Sequence, residues 1–167
     1  NDSIIRRELR FVEGDAYNLS KIKESERRIK GTGIFDNVEI KLDEMVGTNK
    51  TNVNVGVAER STGQFTVGAG FSSLDGALGS IGIKESNLFG EAKELGLNLA
   101  LSTRKSEIDL SYTDPYFLNR DLAAGIDIFN VRRNQKTYSG YKHNIIGFKL
   151  RTGFEIIDNF RLFSSYT

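Results

Sequence analysis

Cysteine is absent from the chain, which excludes disulfides and thiolate chemistry and removes one indicator of compartment. Histidine occurs once, at His143, so no zinc site can assemble from imidazoles and thiolates, and neither a metal nor a cofactor is expected. No run of about 18 apolar residues is present, so no transmembrane helix is encoded. Charge of one sign is missing too: 23 basic residues stand against 22 acidic ones, for a net charge of +1. Such a balance gives no field to steer nucleic acid, and no basic cluster supplies one locally. The chain opens on Asn1 and Asp2, without the basic and apolar regions of a signal peptide, so an exported protein would carry its signal upstream.

What is present is alternation. From residue 64 onward, segment after segment has an apolar residue at every second position, and each segment ends in a turn. Leu95, Leu97, Leu99 and Leu101 alternate with Gly96, Asn98, Ala100 and Ser102. Phe65, Val67, Ala69 and Phe71 alternate with Thr66, Gly68, Gly70 and Ser72, and Ile146, Phe148, Leu150, Phe154 and Ile156 with Gly147, Lys149, Arg151, Gly153 and Glu155. A period of two is a strand. Shorter examples at Ile108 to Tyr112 and Leu122 to Ile128, and weaker ones at Gly79 to Lys84 and Phe160 to Tyr166, bring the count to about seven strands. Their lengths lie near the roughly 9 to 11 residues with which a tilted strand crosses a bilayer. A mean hydropathy of −0.35 does not oppose this, because half of every barrel strand faces a polar lumen.

Alternation alone does not say what the apolar face touches: a soluble sandwich or ligand-binding barrel shows the same pattern with that face turned inward. If the face meets lipid, Asp109, Asp127, Lys149, Arg151 and Glu155 must point into a wet lumen. At mid-depth on a lipid face a basic residue would cost roughly 2 to 4 kcal/mol, and an acidic one less.

Composition shifts near Ser61, which divides the chain into a charged part, residues 1–60, and a glycine- and phenylalanine-rich part, residues 61–167. The first part reads helix, helix, strand, strand. Asp2 or Ser3 can cap a short helix carrying Ile4, Ile5 and Leu9; Asn18 or Ser20 can cap a second whose Ile22 and Ile29 stand two turns apart. Gly31 and Gly33 offer left-handed positions that end it. Val38, Ile40 and Leu42 then alternate with charges, Val46 to Lys50 turns the chain, and Val53, Val55 and Val57 complete a hairpin with one buried face. About 60 residues make a marginal domain, and an opening strand is missing, so the sequence is expected to begin inside a domain. In the second part Asp75-Gly76 is a strong hairpin dipeptide for a type I′ turn. Further connections fall near Asn87 to Glu91, Thr103 to Ser106, Asp114 to Arg120, Asn134 to Tyr141 and Ile157 to Asn159. If the first strand of the sheet leaves the side carrying the helices, Phe89, Tyr116 and Phe117 share one rim, as an aromatic belt requires.

Several segments, in order and spacing, resemble the BamA-type outer-membrane assembly factors. The stretch from Ser25 to Ile40, with Gly31-Thr32-Gly33-Ile34-Phe35 at its centre, resembles the second helix and following strand of the POTRA domain that precedes the barrel. Glu59-Arg60-Ser61-Thr62-Gly63 resembles the junction, Ser86-Asn87-Leu88-Phe89-Gly90 the first periplasmic turn, and Asp114-Pro115-Tyr116-Phe117 the second. The resemblance implies an α+β partial POTRA domain in the periplasm, followed by the N-terminal strands of an antiparallel transmembrane β-barrel in the bacterial outer membrane. It implies non-enzymatic insertion of other barrel proteins, with outer-membrane lipid, unfolded clients and accessory assembly lipoproteins as partners. A related exporter of polypeptides, also built from POTRA domains and a barrel, is the alternative within the same architecture, and a soluble β-barrel or sandwich binding module the alternative outside it.

By the same resemblance the first barrel strand, Gln64 to Ser73, forms a weakly paired seam, and Phe65, Val67, Gly68, Gly70 and Phe71 are its site residues. The residues agree with that expectation: glycines weaken a strand, and an edge with free amides and carbonyls is a template for another strand. Gly68 and Gly70 also have a plainer reading, room for curvature or close packing beside the lumen. By the same resemblance Arg27 and Arg28 form a possible docking face for the accessory partner, and an exposed strand near Asp36 to Leu42, with Phe35, Val38 and Ile40 at that position, could add a client strand; Arg27, Arg28 and Lys30 also read simply as a solvated helix face. Glu8, Glu13 and Asp15 read as surface carboxylates. His143, at a loop or strand end, has no nucleophile elbow beside it, and Gly31-Thr32-Gly33 lacks the length and lysine of a phosphate loop, so no catalytic residue is assigned. With two unpaired edges the seven strands are expected not to close and to aggregate without detergent.

Overall fold

The structure, a computed structural model, describes residues 2–45, 50–134, 142–157 and 160–167. The expected turns at Val46 to Lys50, Asn134 to Tyr141 and Ile157 to Asn159 lie wholly or largely outside the described residues. The chain divides into two compact units, Asn1–Thr62 with Gly90–Ala92, and Gly63–Phe89 with Lys93–Thr167.

The first unit runs α1 (Asp2–Glu8), α2 (Leu19–Gly31), β1 (Phe35–Glu44) and β2 (Thr51–Glu59), with β1 and β2 an antiparallel pair. The Asn18 side chain accepts hydrogen bonds from the amides of Ser20 and Lys21 at 3.0 and 3.2 Å, satisfying two of the orphan donors at the start of α2. Asp2 and Ser3, expected as caps, lie inside α1; Asp2 instead bonds Arg6 one turn on at 2.6 Å, and that hydrogen bond and charge hold the Arg6 guanidinium pKa above its ordinary value. At the end of α2 only Gly33 has positive φ (+70°), while Gly31 is the last helical residue, so one glycine suffices for the exit. The core is Ile4, Ile29, Ile34, Phe35 and Val38, with Ile5, Leu9, Val55 and Val57 packed against it. Each fully buried aliphatic side chain there stabilises by about 1.5 to 3 kcal/mol.

The second unit is a seven-stranded antiparallel sheet in sequence order: β3 (Gly63–Ser72), β4 (Gly76–Leu88), β5 (Lys93–Ser102), β6 (Lys105–Asp114), β7 (Leu122–Asn134), β8 (Lys142–Ile157) and β9 (Phe160–Tyr166). The ladders run past the apolar rows, so β4, expected only over 79–84, is 13 residues long. Hydrogen bonding to neighbours on both sides sustains a strand where hydrophobic alternation fades. The connection from β3 to β4 departs from the expected type I′ turn. Ser72 pairs with Gly76 across Ser73, Leu74 and Asp75, and only Gly76 has positive φ (+77°). The Ser72 hydroxyl accepts from the amides of Leu74 and Asp75 at 3.2 and 3.3 Å, which supports the longer loop.

Candidate functional site

Register fixes what shares a face. Residues directly opposite in an antiparallel ladder project the same way. Phe65 pairs with Ile83, Ile83 with Leu97, Leu97 with Leu110, Leu110 with Ile128, and Ile128 with Phe148, giving an apolar rung across six strands. The next rung is Val67, Ile81, Leu99 and Ile108. No layer covers these rows among the described residues. Val67 is 67% exposed, Ile83 53% and Phe148 53%, and every buried apolar residue belongs to the first unit. Leu95, Leu97 and Leu99 are half-buried only by their flanking neighbours in the sheet.

The opposite face is polar. Asn98 stands opposite Asp109, and Asp127 opposite Lys149. Arg151 Nη2 donates to Asp127 Oδ1 at 2.7 Å and to Thr113 Oγ1 at 2.9 Å, stitching β6, β7 and β8. Lys84 and Glu94 pair at 3.1 Å. Thus Asp109, Asp127, Lys149 and Arg151 share the face assigned to them, while the Glu155 side chain lies outside the described residues. Glycine lets this face pack closely: a Cβ at Gly147 would lie 2.6 Å from the Phe129 ring, and one at Gly153 would lie 2.7 Å from the Phe163 ring. Aromatic rings lying over strand glycines in this way are a device of curved sheets.

Strand β3 is an edge, bonded only to β4 among the described residues. Phe65, Val67 and Phe71 project from its apolar face, and Phe71 is 82% exposed; Gly68 and Gly70 lie on the polar face opposite Ser80 and Leu78. A Cβ at Gly68 would meet Ser80 Oγ at 2.7 Å. Gly68 therefore makes room for a serine on the neighbouring strand.

Phe89, Tyr116 and Phe117 fall in the β4–β5 and β6–β7 connections, at the end of the sheet where β3 begins. Phe89 is 86% exposed with φ of 58°, and Tyr116 begins a 3-10 turn, its amide donating to Asp114 Oδ1 at 2.9 Å. Leu118, beside them and 71% exposed, was not among the expected rim residues; in sequence it is a lone leucine in a turn, without periodicity to mark it.

The expected docking residues do not form one surface. Phe35 and Val38 are 6% and 3% exposed in the core of the first unit, on the face of β1 covered by α2, so as side chains they pack rather than dock, while the backbone of β1 pairs only with β2 among the described residues. Ile40 is half-buried. Arg28 reaches across to Glu8, with Nε 3.0 Å from Oε2. Glu8, expected on the surface, is 6% exposed, which corrects that reading. Arg27 points to solvent, with Nη2 2.6 Å from Glu24 Oε2. Between the helices Ser25 is fully buried. Its hydroxyl donates to Lys21 O and accepts from the Arg10 amide, both at 2.8 Å, a clamp that nothing in the local sequence announces.

Among the described residues, no helix is long and apolar enough to cross a membrane, and no group of three or more acidic, cysteine or histidine side chains is placed to hold a metal. Family models match both parts: the surface antigen variable number repeat, POTRA, over residues 1–60, and the Omp85 superfamily domain over residues 87–167. The outer membrane protein assembly factor BamA of Neisseria meningitidis serogroup B is 34% identical over 155 residues, 90% of this chain and 19% of that protein. The chain belongs to the BamA-type family of POTRA-plus-barrel proteins. BamA of Neorickettsia risticii is 31% identical over 166 residues, 99% of this chain and 22% of that protein. The crystal structure of BamA from Haemophilus ducreyi lacking POTRA domains 1–3 superposes with a TM-score of 0.84 at 29% identity, over 99% of this chain and 32% of that one. The chain thus spans about a fifth of the length of the curated relatives it matches. It is an outer-membrane protein with a periplasmic POTRA segment, and its seven antiparallel strands are those of the family barrel.

Proposed function

We propose that the protein containing this chain assembles and inserts β-barrel proteins in the bacterial outer membrane without enzymatic chemistry, and that β3 is the strand at which an incoming client pairs. What supports this reading is the make-up of β3: glycine interrupts it at Gly68 and Gly70, which loosens its hold on β4. In hydrocarbon every backbone donor and acceptor must be paired, each orphan costing on the order of several kcal/mol, so a bilayer-embedded edge recruits another strand. Lipid contacts the apolar rungs, Phe89, Tyr116 and Phe117 sit at the interface, and the POTRA segment meets unfolded clients and accessory assembly lipoproteins through exposed groups such as Arg27. The uncovered apolar rows favour lipid over the second protein layer that a soluble sandwich would need.

The test separates weakness of β3 from room for Ser80. In the full-length protein, Gly68→Ala with Ser80→Ala relieves the 2.7 Å clash and strengthens β3 by about 0.5 to 1 kcal/mol. Client insertion into proteoliposomes is expected to slow while the barrel stays folded. Insertion at the wild-type rate would show that the glycine serves packing alone and would remove β3 from the mechanism.

A further inference from the structure

The free turn of the first hairpin is fastened to the second. At the β3–β4 connection, the carbonyl oxygens of Leu74 and Asp75 both accept hydrogen bonds from the β5–β6 turn: Arg104 Nη1 donates to Leu74 O at 2.6 Å, and Thr103 Oγ1 donates to Asp75 O at 2.9 Å. Thr103 lies directly over Gly76, where a Cβ would come within 2.2 Å of Oγ1, so any larger residue at 76 would displace it. The anchor is itself fixed. Ser102 Oγ accepts from the Lys105 amide at 2.8 Å and closes the β5–β6 turn, while the Asn134 amide donates to Arg104 O at 2.8 Å and adds β7. These contacts join the first hairpin to the second at their turns, beyond the last β4–β5 pair, Leu78 with Ser102. At the other end of β3 the lattice is less regular, because the β4–β5 register breaks between Glu85 and Leu88, beside the rung where Gly63 meets Glu85.

We propose that Thr103 and Arg104 are positioning residues that pin the Ser72 end of β3, so that the edge strand yields from its Gly63 end and swings about its own turn. The inference rests on the reading of β3 as the working edge. It gives that edge a direction: a client strand enters first where β3 begins, and the pinned turn keeps β3 in register while the lower rungs open. Were both ends equally free, β3 could slip along β4. A slip of one residue would bring Phe65, Val67 and Phe71 to the polar face.

Amide hydrogen exchange of the full-length protein in micelles, resolved by overlapping peptides, tests this without a client. In the wild type, exchange at Phe71 and Ser72 should be slower than at Gln64 to Val67. Thr103→Val together with Arg104→Ala should speed exchange at the Ser72 end by about tenfold or more and leave β6 to β8 unchanged, because two exposed hydrogen bonds are lost there. Thr103→Val alone, nearly isosteric, should give a smaller increase at the same place, and Arg104→Lys, which keeps a donor, should retain part of the protection. The gel shift of the unheated barrel confirms that each variant is folded. A flat or reversed gradient in the wild type, or unchanged exchange in Thr103→Val with Arg104→Ala, would overturn the pin. Client insertion measured on the same variants reports separately on the edge-strand reading: loss of the gradient with normal insertion contradicts the direction of opening, whereas an intact gradient with insertion insensitive to Gly68→Ala and Ser80→Ala contradicts the working edge.

Discussion

Substituting Arg28 should destabilise the periplasmic unit whether or not a partner is bound. Arg28 Nε lies 3.0 Å from Glu8 Oε2, the Glu8 side chain is only 8% exposed, and the Arg28 side chain is 34% exposed. Removing one partner of a fully buried pair costs about 3 to 5 kcal/mol, because the remaining charge stays desolvated. Water reaches Arg28, so the pair is partly screened and the expected loss is nearer to 1 to 3 kcal/mol. With a urea slope of about 1 kcal/mol per molar, Arg28→Ala should lower the unfolding midpoint by roughly 1 to 3 M. Arg27→Ala is the control: its pair with Glu24 is exposed at 78% and 40%, and such pairs contribute a few tenths of a kcal/mol. Helical circular dichroism of the full-length protein in micelles follows the transition. Adding Glu8→Gln to Arg28→Ala should recover most of the loss, because no buried carboxylate is then left alone. Equal midpoints for Arg27→Ala and Arg28→Ala would refute the argument; a clear difference means that docking of accessory lipoproteins should be tested at Arg27, where charge reversal leaves the fold standing.

Two further outcomes follow from the sheet. Leu97→Arg, on a rung between Ile83 and Leu110, should cost roughly 2 to 4 kcal/mol in vesicle-reconstituted unfolding, whereas Asn98→Lys, one position on and opposite Asp109, should be neutral or mildly favourable; a larger penalty at 98 than at 97 would invert the facing. Gly147→Val should destabilise the barrel by about 1 to 3 kcal/mol because its Cβ would lie 2.6 Å from the Phe129 ring, and adding Phe129→Ala should recover part of that loss; no recovery would show that the ring does not lie over the glycine.

The strands were legible because a bilayer imposes two demands on sequence together, a period of two and a length near the membrane thickness. The rows beginning at Phe65, Leu95 and Ile146 meet both, and register confirms that they share a face. Asn18 was equally legible, since capping is settled within three residues of chain. The misreadings in the first unit have one physical origin, a partner on another element. Glu8 looks solvated until Arg28, 20 residues on, covers it. Phe35 and Val38 alternate with charges like a strand offering one apolar face, yet that face is already occupied by α2, and alternation tells only that a face is covered, not by what. Asp75-Gly76 promises a two-residue turn, but the Ser72 hydroxyl captures two amides and lengthens the loop.

What touches the apolar rungs can be read with nitroxide labels placed singly at positions 95 through 102 of the reconstituted full-length protein. Collision with oxygen, which concentrates in hydrocarbon, should peak at 95, 97, 99 and 101, and collision with a water-soluble nickel complex at 96, 98, 100 and 102. Odd positions shielded from both reagents would place those leucines inside protein and contradict the membrane-facing sheet.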